Sequence, residues 1–351
     1  SLKSRADGDQ TLLPFIGYVL VRRHHGDLKN FYDETTDIRN PEKVAVIKRQ
    51  CTAISKETLK NVFHEKIPDE IVAGFFIELD SVLASIIRDG KLFNLKPRLE
   101  KITESPSMEV FTLFYYSLLL SGDKMDAAEI NQERNTEGLR SDLVDLYKSN
   151  KNFVQPESII NKMRNEIYED VTSKVNSLNL TDRIYFLNVP TGTGKTLTSV
   201  SLALKLRERI FNETGVTPQI IYCLPFLSII DQNYDVISSV FSSAFGDGEK
   251  IPSNLLLKHH HLSDLTYSSD DENYDDDEAK LLIEGWHSEF IITTFVQFFH
   301  TIISNKNRAI RKFHTLANAI VILDEVQSIP HEYWLLFHDV IQTLAQFLNM
   351  R

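Results

Sequence analysis

The chain has 351 residues, with 38 Lys and Arg against 49 Asp and Glu, and 42% of it is hydrophobic. That length makes room for two domains with separate cores. The net charge of −11 excludes an evenly basic nucleic-acid coat, though not a local basic groove. Two cysteines, Cys51 and Cys223, exclude a disulfide framework or a four-cysteine zinc site and point to a reducing, cytoplasmic setting. No apolar run approaches the ~20 residues of a membrane span, so no membrane partner is expected. The chain opens without Met and ends at Met350-Arg351 inside a helical pattern, so both ends read as cut.

Residues 1–155 read as helices joined by charged linkers. Leu12, Leu13, Ile16, Val19 and Leu20 share one face of a helix that stops near Gly26. Ile71 to Ile87 and Val110 to Leu120 are further helices, and Glu133 to Gly138 is a polar loop. Pro156 marks a break, and residues 156–351 change style. Short apolar runs now alternate with helices. The runs are Ile184 to Val189, Ile220 to Leu224, Leu255 to Leu257, Phe290 to Thr294 and Ala319 to Leu323. Helices are expected over Thr196 to Phe211 and near Ile229 to Phe241. This alternation predicts a parallel sheet covered on both faces. The fold class is therefore a helical domain followed by an α/β lobe. From Asp270 to Glu278, seven of nine residues are acidic; the segment reads as a solvated, mobile insertion that can be deleted at little cost.

Val189-Pro190-Thr191-Gly192-Thr193-Gly194-Lys195-Thr196 follows the first expected strand and opens a helix. Glycines let the backbone curl so that successive N–H groups face phosphate oxygens, and a helix N-terminus adds partial positive charge. Lys195 suits the β- and γ-phosphates of ATP, and the Thr196 hydroxyl suits magnesium. Asp324-Glu325-Val326-Gln327 follows a later strand, at the carboxyl edge where ligands gather. Asp324 is the expected magnesium partner, and Glu325 the residue that orients or deprotonates the attacking water. Pro225 and Gln232, in Leu224 to Gln232, and Thr294 and Gln297, in Thr293 to Phe299, sit after other strands. They suit the phosphates of a single DNA strand, or else are only strand-to-helix turns. His259-His260-His261 reads as a loop or a nucleic-acid contact rather than a metal site.

Together these segments resemble the type I CRISPR-associated helicase–nucleases, fusions of an HD nuclease with a superfamily-two helicase. The resemblance rests on Pro190 to Thr196, on Leu224-Pro225-Phe226 with Ile229-Ile230-Asp231-Gln232, on Thr293 to Gln297, and on Asp324 to Gln327. It covers Asn161 to the end as most of a first RecA-like lobe. It also gives meaning to the N-terminal part. His24-His25-Gly26-Asp27-Leu28 resembles the family's paired-histidine motif, and Leu118 to Lys124 its later metal-binding aspartate, Asp123. Ser1 to Ser4 resembles the residues after an earlier metal-binding histidine that is absent here, as are the second RecA-like lobe and its arginine finger. The resemblance implies a nuclease site in which His24, His25 and Asp123 hold manganese, iron, nickel or cobalt. From the residues alone the pair is ambiguous. On a helix, rings at successive positions point about 100° apart, and a helix-terminal pair bonded to carbonyls is the plainer reading. The implied partners are single-stranded DNA and an RNA-guided CRISPR surveillance complex, with sequence read by base pairing.

Overall fold

The computed structural model describes residues 13–31, a few positions between 34 and 49, and residues 106–131, 134–153, 158–244, 250–260, 267–268 and 274–351. One compact unit falls within residues 7–109 and another within residues 110–351. Of the first unit, helix α1 spans Leu13–Arg23, with Ile16, Val19 and Leu20 buried on its apolar face. Arg22 and Arg23 close its last turn and both pair with the buried Glu34. The helix expected over Ile71 to Ile87 lies outside the described residues.

Helix α2 spans Pro106–Ala127, longer than its sequence pattern suggests. The Tyr116 hydroxyl on it donates to Asn307 Oδ1 at 2.8 Å, which ties it to the lobe. The lobe continues through α3 (Leu143–Asn150), α4 (Ile159–Ser173), α5 (Lys195–Thr214), β1 (Ile220–Leu224), α6 (Leu227–Ser242) and β2 (Leu256–His259). It ends with α7 (Asp276–Gly285), β3 (Phe290–Thr294), α8 (Phe295–Ile303), α9 (Asn307–Ile310), β4 (Ile320–Leu323) and α10 (Trp334–Phe347). The strands form one parallel sheet in the order β2-β3-β1-β4. Every residue of β1 and β3 is buried, as expected of parallel strands covered on both faces. Ile220, Tyr222, Leu224, Phe290 and Ile292 form one face of the core with Val200, Leu204, Ile230 and Ile237 from α5 and α6. On the strands, α8 also packs against β1 and β3.

One expected strand is not formed. Residues 184–189 form no regular element and make no ladder among the described residues, and Phe186 is 93% exposed. The neighbouring edge of β4 is bonded elsewhere. Arg351 N donates to Ala319 O at 2.9 Å and Val321 N donates to Arg351 O at 2.6 Å, one parallel bridge.

The acidic segment also departs from its reading. Asp275 caps α7, accepting from the backbone of Asp277 and Glu278, while Glu278 reaches back to the Asp275 amide. Asp276, Asp277 and Glu278 are the first turn of that helix, where negative charge is favoured. The carboxylates from Asp275 onward are thus a helix start rather than a mobile insertion, and Asp270 to Asn273 lie outside the described residues. Tyr274 stacks edge-on against Tyr267. His259 departs as well. It is buried at the end of β2, and its Nδ1 accepts from Trp286 Nε1 at 2.9 Å, so it is a core residue. His260 is buried too, and His261 lies outside the described residues.

A charged cluster that no motif announces fastens the sheet to the loop before α3. Glu289 is fully buried just before β3. It accepts from Arg207 of α5 at 2.7 Å and from Arg134 at 2.7 and 2.8 Å. Arg207 also donates to the carbonyls of Thr136, Leu139 and Pro218. A buried pair gains little over an apolar core, but breaking it strands a charge. Glu289→Ala should therefore cost about 3–5 kcal/mol of unfolding free energy in urea denaturation. A loss within the range of surface substitutions would show that Arg207 finds water instead.

The His259 ring gives a pH signature. Burial first, then the charges of Lys312 and Arg308, hold its pKa down at about 3. The unfolded ring titrates near the ordinary histidine value of 6.5. Between those values the unfolded chain binds a proton that the folded ring refuses. Stability is therefore intact above pH 6.5 and falls as pH drops toward 3. Across that window His259→Gln should flatten the stability–pH curve by up to about 1.4 kcal/mol per pH unit. Parallel curves for the two proteins would contradict the buried neutral ring.

Candidate active site

Residues 190–194 wrap the start of α5 and need left-handed backbone at two points. Gly192 has φ 77° and Gly194 φ 84°, and Gly194 is the N-cap of α5. A side chain at either position would be strained, so glycine is required by conformation rather than by crowding. The Thr193 hydroxyl donates to Pro190 O at 2.6 Å and closes the turn. From α4, Arg164 Nε donates to Gly192 O at 2.9 Å and braces the loop from outside.

The loop lines a cavity of about 1330 Å³ together with the carboxyl end of β4. Lys195 Nζ lies 2.5 Å from Asp324 Oδ1 and 3.2 Å from Glu325 Oε1. Three residues that are 130 positions apart at the extremes in sequence thus meet across one gap. Burial pulls the Lys195 pKa down, but its bonds to Asp324 and then Glu325 outweigh this and leave it raised, so the ammonium stays charged. Asp324 is buried, and its Oδ1 also accepts the Glu325 amide at 2.9 Å. Glu325 is left-handed at φ 56°, an uncommon conformation for a residue with a side chain. That conformation opens a short 3-10 helix, Val326–Ser328, and Gln327 donates to the second Glu325 oxygen.

Two residues here escaped the sequence reading. The Tyr222 hydroxyl, buried in β1, donates to Asp324 Oδ2 at 2.6 Å. Burial, then the charge of Asp324, raises the Tyr222 pKa well above its usual value, so the hydroxyl keeps its proton. The Thr196 hydroxyl donates to Asn233 Oδ1 of α6 at 2.8 Å, and Asn233 Nδ2 donates to Ile229 O at 2.9 Å. The only signal for Tyr222 is a hydroxyl in an otherwise apolar buried strand, which needs a partner. Nothing in the sequence marks Asn233.

The donor set suits magnesium. A hydroxyl and two carboxylates are hard oxygen ligands, and the cluster lacks the thiolate and imidazole ligands that favour softer metals. The four expected nucleic-acid residues divide. Pro225 and Gln232 line the same cavity as the phosphate loop. Thr294 is buried as the N-cap of α8, where its hydroxyl accepts the Gln297 amide at 3.0 Å; Gln297 is half-buried on that helix.

The stretch that carries this loop, helix and Asp-Glu pair also matches a known family. Residues 168–350 match the DEAD/DEAH box helicase family. The chain belongs to that family. It therefore carries a domain of the ATP-hydrolysing helicase class. Over 255 residues, 68% of the chain, it is 29% identical to the CRISPR-associated nuclease/helicase Cas3 of Haloferax volcanii. The likeness read from the motifs thus recurs well beyond them. The chain spans about a quarter of that relative's length, since the match covers 26% of it.

The three residues expected in the nuclease site divide between the two units. Helix α1 ends at Arg23, so His24 and His25 occupy the turn after it, and the 100° separation of helical neighbours does not apply to them. Their ring centroids are 3.7 Å apart, and His24 Nδ1 faces Val21 O. They belong to the first unit. Asp123 belongs to the second and sits half-buried in the last turns of α2. No helix among the described residues is long and apolar enough to cross a membrane.

Proposed function

We propose that this chain is part of an ATP-driven, single-stranded-DNA translocase fused to a metal-dependent DNA nuclease, acting in CRISPR interference beside an RNA-guided surveillance complex. The observation that carries the reading is the convergence of Lys195 on Asp324 and Glu325 at the mouth of a glycine loop. The likeness to the Haloferax Cas3 supplies the CRISPR setting and the nuclease. In this reading residues 1–155 are the nuclease-like part and residues 156–351 the first helicase lobe.

Pro190 to Gly194 present backbone amides and Lys195 its ammonium to the phosphates of ATP. Thr196 and Asp324 hold magnesium, which neutralises charge on the leaving phosphates when bound. Glu325 orients the attacking water and takes its proton. Its present ion pair with Lys195 must open for this, and phosphate oxygens are the groups that draw the lysine off. Pro225 and Gln232, and Thr294 through the start of α8, are proposed to meet the DNA backbone, with Gln297 beside them. His24, His25 and Asp123 are proposed to hold manganese, iron, nickel or cobalt for phosphodiester hydrolysis.

In the complete protein, Lys195→Ala should abolish DNA-stimulated ATP hydrolysis, measured as phosphate release with and without single-stranded DNA. Turnover at the wild-type rate would remove the phosphate-loop assignment. His25→Ala should stop cleavage of single-stranded DNA while ATP hydrolysis continues. If both activities persist, the helical part is an inert accessory to a helicase.

A further inference from the structure

We propose that Tyr222 and Asn233 are positioning residues that set the two oxygen donors of the magnesium site, Asp324 and Thr196, before the metal arrives. The inference rests on the ATP–magnesium reading above and assigns two residues to it that no motif contains.

The two contacts are alike in form. In each, a side chain meant for the metal is held by a neighbour that is not itself a proposed ligand. Tyr222 is fully buried, and its hydroxyl bonds Oδ2 of Asp324. Lys195 and the Glu325 amide bond the other oxygen, Oδ1. When phosphate draws Lys195 away, Oδ1 gains a free lone pair while Oδ2 stays pinned. The carboxylate then meets the cation without a rotamer search. Asn233 accepts the Thr196 proton and so turns the hydroxyl lone pairs outward. Asn233 is itself fixed, because its amide donates to Ile229 O one turn back on α6.

A plainer role is possible for each. A buried tyrosine needs an acceptor, and a buried asparagine needs partners, whatever lies beyond them. The two roles differ in what they move. A packing role alters stability and all nucleotide binding together. A positioning role alters the step that needs the metal. Outer partners of metal ligands typically contribute tenfold to hundredfold in metal affinity.

The test is calorimetric titration of ADP into the full-length protein, first in EDTA and then in magnesium, with melting temperatures measured alongside. Manganese binding to the ADP complex, read by electron paramagnetic resonance, gives the metal affinity directly. In Tyr222→Phe, ADP affinity in EDTA should match wild type, while manganese affinity of the complex falls about tenfold or more. Asn233→Ala should behave alike, and Asn233→Asp, which still accepts the Thr196 proton, should restore affinity. Should Tyr222→Phe fail to fold, the Asn233 pair decides. Unchanged manganese affinity in Tyr222→Phe and Asn233→Ala overturns the proposal, as does an equal loss of ADP affinity with and without metal. Should wild type itself show no metal-dependent ADP binding, the nucleotide site falls and this inference with it. A wild type that shows it, with variants that match, removes the inference alone.

Discussion

The pairing of β1 with β4 is the constraint on which the site depends. Its register sets Tyr222 against Ile322 and Cys223 against Leu323. Asp324 follows directly, and its amide donates to Cys223 O at 3.1 Å. In that register the carboxylate stands over the Tyr222 hydroxyl and opposite the first turn of α5. A slip of one residue would turn Tyr222 to the other face of the sheet, because side chains alternate. It would also carry the Asp-Glu pair away from Lys195. Ile220, Tyr222 and Leu224 pack on α5 and α6 while Ile221 and Cys223 are buried on the other face, which makes such a slip expensive, since every residue of β1 would change partners.

Around this pairing the fold separates its apolar and polar tasks. Strands β1, β3 and β4 are short and carry no charged residue, so charged groups gather at their ends. At the carboxyl end they face the cavity as Lys195, Asp324 and Glu325. At the other end Glu289, just before β3, binds Arg207 and Arg134 and the loop that leads into α3. The two clusters differ in accessibility. Glu289 and Arg207 are sealed and fully paired, which suits fastening. Lys195 is open to the cavity, which suits exchange of partners.

Much of this was legible in the sequence, for physical reasons that can be named. Phe290 to Thr294 and Ile220 to Leu224 declared themselves because strands buried on both faces must be continuously apolar. The glycine loop was legible because glycine at Gly192 and Gly194 answers a backbone need that other residues meet poorly. Ile184 to Val189 looked the same and failed, since apolar content records a wish for burial and not the presence of a partner edge. The aspartates before α7 misled for the converse reason. Charge runs are usually solvated, but Asp275 stands where a helix needs a cap. Tyr222, Asn233, Arg207 and Glu289 were silent because their side-chain pairings reach across 37 to 155 sequence positions. Local patterns carry no trace of such partners.

The ion pair of Lys195 makes the site a closed circuit. One ammonium serves two carboxylates, so the cluster carries a net charge of −1 before anything binds. A phosphate that recruits the ammonium leaves both carboxylates without a cation. A divalent ion that occupies the carboxylates leaves the ammonium without an anion. Each ligand therefore creates the demand that the other meets, and linkage requires the benefit to be mutual. Nucleotide and metal should tighten one another through a single side chain that changes hands, with no larger movement of the lobe. The same lysine then acts as a built-in competitor, discouraging either ligand from settling alone.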